Sequence, residues 1–189
     1  MADIKDVGQW IYQDRGRQTG NLRHVKLAYF AQAWSFAWVG RPLFEARIEA
    51  WPNGPVVRPL WAAETYDRDA AGTIIGADTS RMEPQEEEIL RAVVGFYSPM
   101  RTERIKELSH DSAWEAAREG YSSAAHCEVE LDPALILRHY SRLALVEPES
   151  TPKAPVGLVC GPRSVADVLD TSRLHRARWS VVHERLAPA

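Results

Sequence analysis

Neighbouring cysteine and histidine side chains can act as a nucleophile and its base, and the sequence has one such pair, His126–Cys127. Adjacent residues on a strand point to opposite faces, so a structural cysteine is the simpler interpretation. His110 comes directly before Asp111 at the start of a predicted helix, where capping by Asp111 explains the pair. We therefore predict a protein that is not an enzyme, with a small hydrolase using His110 or His126 kept as an alternative.

Metal-binding and phosphate-binding motifs are missing from the sequence. The remaining four histidines form neither an HxxxH nor an HExxH pattern. They are His24, His139, His175 and His183. Cys127 and Cys160 are too few for a zinc site or a disulfide framework. The Gly-Leu-Val-Cys-Gly run at residues 157–161 lacks the Gly-Lys-Ser/Thr ending of a phosphate loop. We expect no metal and no cofactor.

Composition and charge indicate an ordinary globular protein. The chain has 189 residues, of which 45% are hydrophobic and 26% are charged. Its net charge of −3 argues against a general nucleic-acid binder, which would normally be basic. The sequence has neither an apolar run long enough to span a membrane nor the pattern of a secretory signal, and its two cysteines fit a reducing compartment. We expect a cytoplasmic protein.

The elements that would position any site are organised around one apolar helix. Asn21 is a predicted N-cap, and the stretch from Leu22 to Val39 contains neither Gly nor Pro. Apolar residues cover nearly the whole circumference, which is typical of a buried core helix, so we predict that Phe30 and Trp34 are buried. Gly40 stands where a left-handed residue would end the helix.

A strand and a rigid corner follow this helix. From Phe44 to Trp51 apolar and polar residues alternate, which predicts a half-buried strand whose wet face carries Glu45, Arg47 and Glu49. Two carboxylates on one face can do acid–base chemistry, but a solvated strand face is the simpler interpretation. The Pro52–Pro55 run ends the strand, and Pro59 can open the next helix.

Two tryptophans flank this corner. By period, Trp51 falls on the polar face of the strand, and Trp61 follows the turn in the next helix. Exposed tryptophan beside a rigid turn is a candidate anchor for a protein partner, whereas a Trp51 that covers a neighbouring helix is the structural alternative. We also predict that Gly54, between Asn53 and Pro55, adopts a backbone conformation that a Cβ atom would strain.

Further helices complete the predicted domain. The residues 66–81 read as a long loop in which Thr73–Ile75 could form a brief strand beside the first one. Helices are expected near Pro84, after Asp111 or Ser112, and after the Asp132–Pro133 pair. The proline-rich segment at 148–155 is the best linker. The prediction is a mainly α fold with a small antiparallel β element (α+β), organised as a compact helical domain at residues 1–147 and a helical extension at 148–189.

Several of these blocks resemble one known family. The runs KLAYFAQAW, GRPLF and IEAWPNGPVV, followed by Pro59 and later by LSHDSAWEAAR and DPALILRHY, are similar to the Panacea (SocA-like) domain of prokaryotic antitoxins. The resemblance covers roughly Ile4 to Leu143. It implies a mainly helical bacterial domain that binds and neutralises a cognate toxin protein. In the SocA-like branch it also implies a proteolytic adaptor that delivers the toxin to a ClpXP-type protease.

The tail beyond Glu147 lies outside the resemblance. Its apolar residues would be left in water if it were free, so we expect it to dock on the domain or on a partner. Its excess of arginine over acidic residues is thin, which makes nucleic acid an unlikely partner, although a transcriptional autoregulator of its own promoter stays an alternative. The predicted contacts to the toxin, in the corner and the tail, are Arg47, Trp51, Asn53, Arg58, Trp61, Arg176 and Trp179.

Overall fold

The computed structural model of the chain describes residues 1–15 and 20–158. These residues contain seven α-helices and one two-stranded antiparallel sheet. The helices are α1 (Ile4–Arg15), α2 (Gly20–Val39), α3 (Arg58–Tyr66), α4 (Pro84–Tyr97), α5 (Thr102–Ser109), α6 (Ser112–Ala117) and α7 (Pro133–Val146). The strands are β1 (Ile48–Trp51) and β2 (Gly54–Val57). The predicted mainly α fold with a small antiparallel β element is confirmed.

Helix α2 is the centre of the core. It packs against α1, α3, α4, α5, α7 and β2, so almost every face of it is covered. Phe30 and Trp34 are fully buried, as predicted, and the indole N–H of Trp34 donates to the Tyr97 hydroxyl at 3.0 Å. The polar side chains of Lys26 and Gln32 are buried in the same helix, which the apolar pattern alone did not predict.

The C-terminal end of α2 agrees with the sequence prediction, and its N-terminal end does not. Gly40 has a φ of +70°, which confirms the predicted left-handed residue after the helix. The helix begins at Gly20, so Asn21 is not its N-cap. The Asn21 side-chain amide instead donates to the Glu64 carbonyl of α3 at 3.4 Å, which places the residue in a contact between helices.

The β element is smaller than predicted and has a different partner. Strand β1 covers only Ile48–Trp51 and pairs with β2, with Ile48 opposite Val57 and Trp51 opposite Gly54. The predicted pairing with Thr73–Ile75 is wrong, because Ile74 bridges Arg68. The other edge of β1 is covered by a single bridge between Glu49 and Glu130. The sequence did not predict β2, because it contains Pro55 and proline cannot donate to a strand ladder.

Carboxylates cap several of the later helices. The predicted cap at Asp132 is confirmed, because its side chain accepts from the Ala134 N–H at 2.8 Å at the start of α7. Asp111, and not Ser112, caps α6 by accepting from the N–H groups of Ala113 and Trp114 at 3.0 and 3.1 Å. These bonds satisfy N–H groups that the first helical turn leaves without partners.

After α7 the described chain stays in contact with the domain. Residues Pro148–Ser150 form a 3₁₀ turn, and Thr151 and Leu158 are buried. The predicted helical extension falls mostly on residues 159–189, which lie outside the described residues. Within residues 1–15 and 20–158, no helix combines the length and apolar character that a membrane span requires.

Candidate partner-binding surface

The two predicted tryptophans meet at the hairpin. Trp51 ends β1 and Trp61 lies in the second turn of α3, and their ring centroids are 5.1 Å apart. The aromatic contact continues on both sides, with His126 5.5 Å from Trp51 and Tyr66 5.9 Å from Trp61. We call these four residues, together with Arg47, Asn53 and Arg58, the aromatic corner.

Arginine completes this surface. The Arg58 guanidinium lies 5.1 Å from the centroid of the Trp61 ring and 5.8 Å from that of Trp51, within the range of cation–π attraction. Arg58 and Arg47 also flank Glu49, with their Nε atoms 4.0 and 3.3 Å from its carboxylate oxygens. Three kinds of hot-spot residue, tryptophan, tyrosine and arginine, therefore share one patch.

Glu49 corrects one sequence prediction. The residue was expected on the wet face of β1, but only 4% of it is exposed. A buried carboxylate needs hydrogen-bond donors or counter-charges, and Glu49 has both. Its Oε2 accepts from the Trp51 indole N–H at 2.7 Å, and the two arginines supply positive charge. Glu49 thus fixes the orientation of the Trp51 ring instead of offering an acid–base pair with Glu45.

Much of the corner remains accessible. Tyr66 is 71% exposed, the side chain of Arg47 is 54% exposed and that of Arg58 is 43% exposed. Asn53 is exposed at the tip of the turn, where its side-chain oxygen accepts from Lys106 Nζ at 2.6 Å. Trp51 and Trp61 are half-buried and pack against the core. The structure therefore combines the two interpretations of Trp51, since the ring both covers core residues and borders an exposed patch.

A buried lysine holds the turn beneath the corner. Lys26 of α2 has no exposed surface, and its Nζ donates to the Pro55 carbonyl at 2.7 Å. Burial lowers the pKa of Lys26 well below its usual value, the nearby Lys106 lowers it further, and Asp111 opposes the shift. Gly54 has a φ of +94°, which confirms the predicted conformation. Any Cβ there would lie 2.7 Å from Lys26 Nζ and 2.6 Å from Ser109 Oγ.

Asp111 forms a second support beside the lysine. Its buried carboxylate accepts from the hydroxyls of Tyr29 and Tyr140, the latter at 3.1 Å, in addition to capping α6. Burial raises the pKa values of both tyrosines well above the usual value. The Trp114 indole N–H, on the helix that Asp111 caps, donates to the Trp51 carbonyl at 2.9 Å. The end of β1 is therefore bonded to α6, and α6 is bonded to the core.

Neither of the two histidines considered for catalysis is hydrogen-bonded to a serine or cysteine side chain among the described residues. His110 stacks on Trp114 at 3.9 Å between ring centroids, and burial, then Lys26 and Lys106, lowers its pKa. His126 is exposed and 3.0 Å from the Glu128 carboxylate, whose pKa it lowers. Cys127 is buried with its Sγ 3.7 Å from the Ala117 carbonyl, as expected of a structural cysteine.

A serine–histidine contact lies elsewhere. Ser112 Oγ is 3.0 Å from His139 Nδ1, a pair that the sequence spacing did not reveal because 27 residues separate the two. Among the described residues no carboxylate is bonded to the other ring nitrogen of His139. The N–H groups of Ala113 and Trp114, which could stabilise an oxyanion, are already bonded to Asp111. No group of three potential metal ligands occurs within the described part of the chain.

Five of the seven predicted contact residues come together in the structure. Arg47, Trp51, Asn53, Arg58 and Trp61 lie in or beside the hairpin, whereas Arg176 and Trp179 are outside the described residues. Sequence reasoning missed Tyr66 and His126. Tyr66 follows Trp61 by five residues, a spacing that does not place two side chains on one helical face, so helical geometry gave no signal for this contact. His126 reaches Trp51 from a distant loop, for which the sequence gives no signal.

Comparison with known proteins agrees with the earlier resemblance. Residues 25–115 match the family model described as the antitoxin SocA-like, Panacea domain. The match runs from α2 into α6, so it includes Lys26, Gly54 and Asp111, which support the corner. No curated protein and no solved structure matches the chain. The match supports the SocA-like Panacea antitoxin family for residues 25–115.

Proposed function

We propose that this antitoxin-family protein binds a cognate toxin through the aromatic corner and neutralises it by direct contact. The observation that carries the proposal is the partly exposed patch of Trp51, Trp61, Tyr66 and Arg58 over a buried, hydrogen-bonded support. The family match supports an antitoxin role and hence a toxin as the partner. A cytoplasmic location follows from the same proposal.

The corner has the physical properties of a binding hot spot. Aromatic and arginine side chains contribute most of the energy in protein interfaces, and they do so best when their conformations are set before binding. Here Glu49 orients Trp51, and the Trp51 backbone is held by Trp114. A toxin would therefore meet a surface that loses little side-chain entropy on association.

Exposed residues of the corner provide the cleanest test. Tyr66→Ala removes an aromatic ring that is 71% exposed, so it should leave folding intact and weaken toxin binding by at least about 2 kcal/mol, or roughly 30-fold, if it is a hot spot. Leu145→Ala, at a residue that is 83% exposed on α7, is the matched control. Binding would be measured by calorimetry with the candidate toxin from the adjacent open reading frame.

Arginine at the corner allows a second, independent test. Arg58→Glu should weaken the complex strongly, because it places a carboxylate beside Glu49 and removes the cation from the tryptophan rings. Arg91→Glu on α4, where the arginine is also exposed and also lies beside a glutamate, serves as its control. If Tyr66→Ala and Arg58→Glu both bind the toxin as tightly as the unmodified chain, the toxin does not use the corner.

We further propose that the chain delivers the bound toxin to a ClpXP-type protease. Residues 1–147 would hold the toxin, and the extension at 148–189, with Arg176 and Trp179, would contact the toxin or the protease. Purified ClpXP should then degrade the toxin faster in the presence of the full chain than in its absence. Equal degradation rates would leave neutralisation by binding alone.

Hydrolysis and promoter binding are less well supported by the geometry. Among the described residues the Ser112–His139 contact resembles a nucleophile and its base, but it lacks free oxyanion donors at α6 because Asp111 occupies them. Unchanged protection from the toxin after His110→Ala, His126→Ala and Ser112→Ala would remove the hydrolase alternative. A gel shift with the upstream promoter at low salt would test autoregulation.

A further inference from the structure

A second surface, between α6 and α7, lies close to the aromatic corner. It is an open groove of about 480 Å³. The residues that line it and matter here are Ser112, Glu115, Leu135, Arg138, His139 and Arg142. His110 also lines the groove, and its ring stacks on Trp114, which is bonded to Trp51. The groove is therefore adjacent to the corner that we propose as the toxin contact.

The two arginines of this groove have no ion-pair partner among the described residues, although the carboxylates of Asp111 and Glu115 also line it. Arg138 and Arg142 are exposed, and neither forms an ion pair or hydrogen bond with another described residue. They are four residues apart on α7, where like charges repel each other. The helix from Pro133 to Val146 contains no acidic residue, and Glu115 on the opposite wall pairs with neither arginine.

The exposed arginines of two other helices are arranged differently. Arg91 on α4 is 3.5 Å from Glu87, and Arg104 on α5 is 3.2 Å from Glu107. Each thus has a carboxylate partner on its own helix. An unpartnered pair at i and i+4 costs a little free energy in the isolated protein, and an anionic ligand would remove that cost.

We infer that this groove binds an acidic segment of the toxin in an extended conformation, an inference that rests on the proposed function. Arginine forks match carboxylates in geometry and charge. Residues four apart on a helix are separated by about 6 Å along its axis, and alternate residues of an extended chain by about 6.7 Å, so acidic residues at i and i+2 can each meet one arginine. Leu135 offers an apolar contact for the side chain between or beside them.

The inference can be tested with a defined peptide and does not require the toxin. The probe is a blocked synthetic peptide in which Glu alternates with Leu, and its control is the same peptide with Gln in place of Glu. Both are titrated into the full-length ¹⁵N-labelled protein at low and at physiological salt. The Glu peptide should shift the amide resonances of α6 and α7, and its affinity should fall as salt rises.

Charge variants identify the residues involved. Arg138→Glu with Arg142→Glu should weaken binding of the Glu peptide about tenfold or more, whereas Arg91→Glu with Arg104→Glu should leave it unchanged. Arg138→Gln with Arg142→Gln keeps the test valid if the reversed pair disturbs folding. Single-stranded oligothymidylate, whose phosphates have a similar spacing, is titrated in parallel.

The outcomes of these titrations test the inference about the groove separately from the proposed function. Equal binding of the Glu and Gln peptides, no shifts in α6 and α7, unchanged affinity in the reversed pair, or tighter binding of the oligonucleotide would each overturn the inference. If the Glu peptide binds the groove but no toxin complex forms, the proposed function fails and the groove's specificity stands. If the toxin binds and the peptide does not, the proposed function stands and the inference about the groove fails.

Discussion

Gly54→Ala would test whether the hairpin turn depends on contact with the core. Gly54 has a φ of +94°, where residues with a Cβ atom are strained, and the added atom would lie 2.6 Å from Ser109 Oγ and 2.7 Å from Lys26 Nζ. Both atoms end flexible side chains, but neither residue has exposed surface. Ser109 Oγ donates to the Lys106 carbonyl and Lys26 Nζ to Pro55, so moving aside would break a buried hydrogen bond.

The chain offers a matched control in Gly40. This residue also has a positive φ, +70°, but a Cβ atom there would have no neighbour within 4 Å. Gly40→Ala should therefore cost only the conformational strain, about 1–2 kcal/mol. Gly54→Ala should cost a similar strain plus about 1–3 kcal/mol for overpacking a filled site. The difference between the two variants in free energy of unfolding therefore measures the cost of the contact between the added Cβ atom and the side chains of Ser109 and Lys26.

Urea denaturation followed by tryptophan fluorescence would give both free energies of unfolding. A difference of less than about 0.5 kcal/mol between the variants would refute the argument, because it would mean that the turn can move away from α2 without loss. The same variants test the link to function. Gly54→Ala should weaken toxin binding more than Gly40→Ala does, since Gly54 alone lies in the hairpin that carries Trp51 and Asn53.

Three further predictions concern the core and the tail. Trp34→Ala should destabilise the protein by about 3–5 kcal/mol in urea melts, because the ring is fully buried, and a change well under 1 kcal/mol would contradict its burial. Asp111→Ala should cost about 3–5 kcal/mol, since it removes a helix cap and leaves two buried tyrosine hydroxyls without an acceptor, whereas Asp111→Asn, which keeps the cap, should cost less. Deletion of residues 159–189 should leave the domain folded and weaken toxin binding or delivery. Deletion of residues 152–189 also removes the buried Leu158 and should lower stability by about 1.5–3 kcal/mol, and equal melting of the two truncated chains would show that Leu158 contributes nothing.

Local patterns predicted the helical part of the fold well. An apolar circumference indicated that α2 is buried, and Gly40, Asp111 and Asp132 marked helix ends by their own side-chain and backbone chemistry. These signals lie within a few residues of the structure they specify. The same holds for Gly54, whose neighbours Asn53 and Pro55 restrict the turn.

The β element was predicted less well because its pairing is not local. Alternation between Phe44 and Trp51 indicated a strand, but the strand's length and partner depend on β2 and on residues near Glu130. Burial of Glu49 depends on Arg58 and on the fold of the hairpin, which bring donors to it. A period-2 pattern assigns a charged residue to the wet face and cannot show that arginine and tryptophan side chains cover it.

In the candidate site, too, the local features could be predicted from the sequence and the non-local ones could not. Trp51, Asn53 and Trp61 could be predicted to lie together because a short, rigid turn connects them. The supports beneath them could not, because Lys26 and Asp111 come from segments far apart in the chain. The unusual residue types of the family blocks were visible in the sequence, but the structure was needed to show that they meet at one turn.

Three buried polar residues of the mainly apolar helix α2 each form a hydrogen bond to another segment of the chain. Gln32 bonds the backbone of Leu43 and Phe44 at 2.8–3.1 Å, Lys26 bonds Pro55, and Tyr29 bonds Asp111. Each therefore fixes a segment that lies outside the helices or at a helix end. Replacing Lys26 or Gln32 by an apolar residue would leave buried backbone groups unsatisfied, and replacing Tyr29 would remove one of the donors to the Asp111 carboxylate. The central helix thus supplies the core with its apolar side chains and sets the positions of three other segments with its polar ones. Since one of those segments is the hairpin of the aromatic corner, substitutions at Lys26 should affect stability and toxin binding together, whereas substitutions at the exposed Tyr66 should affect binding alone.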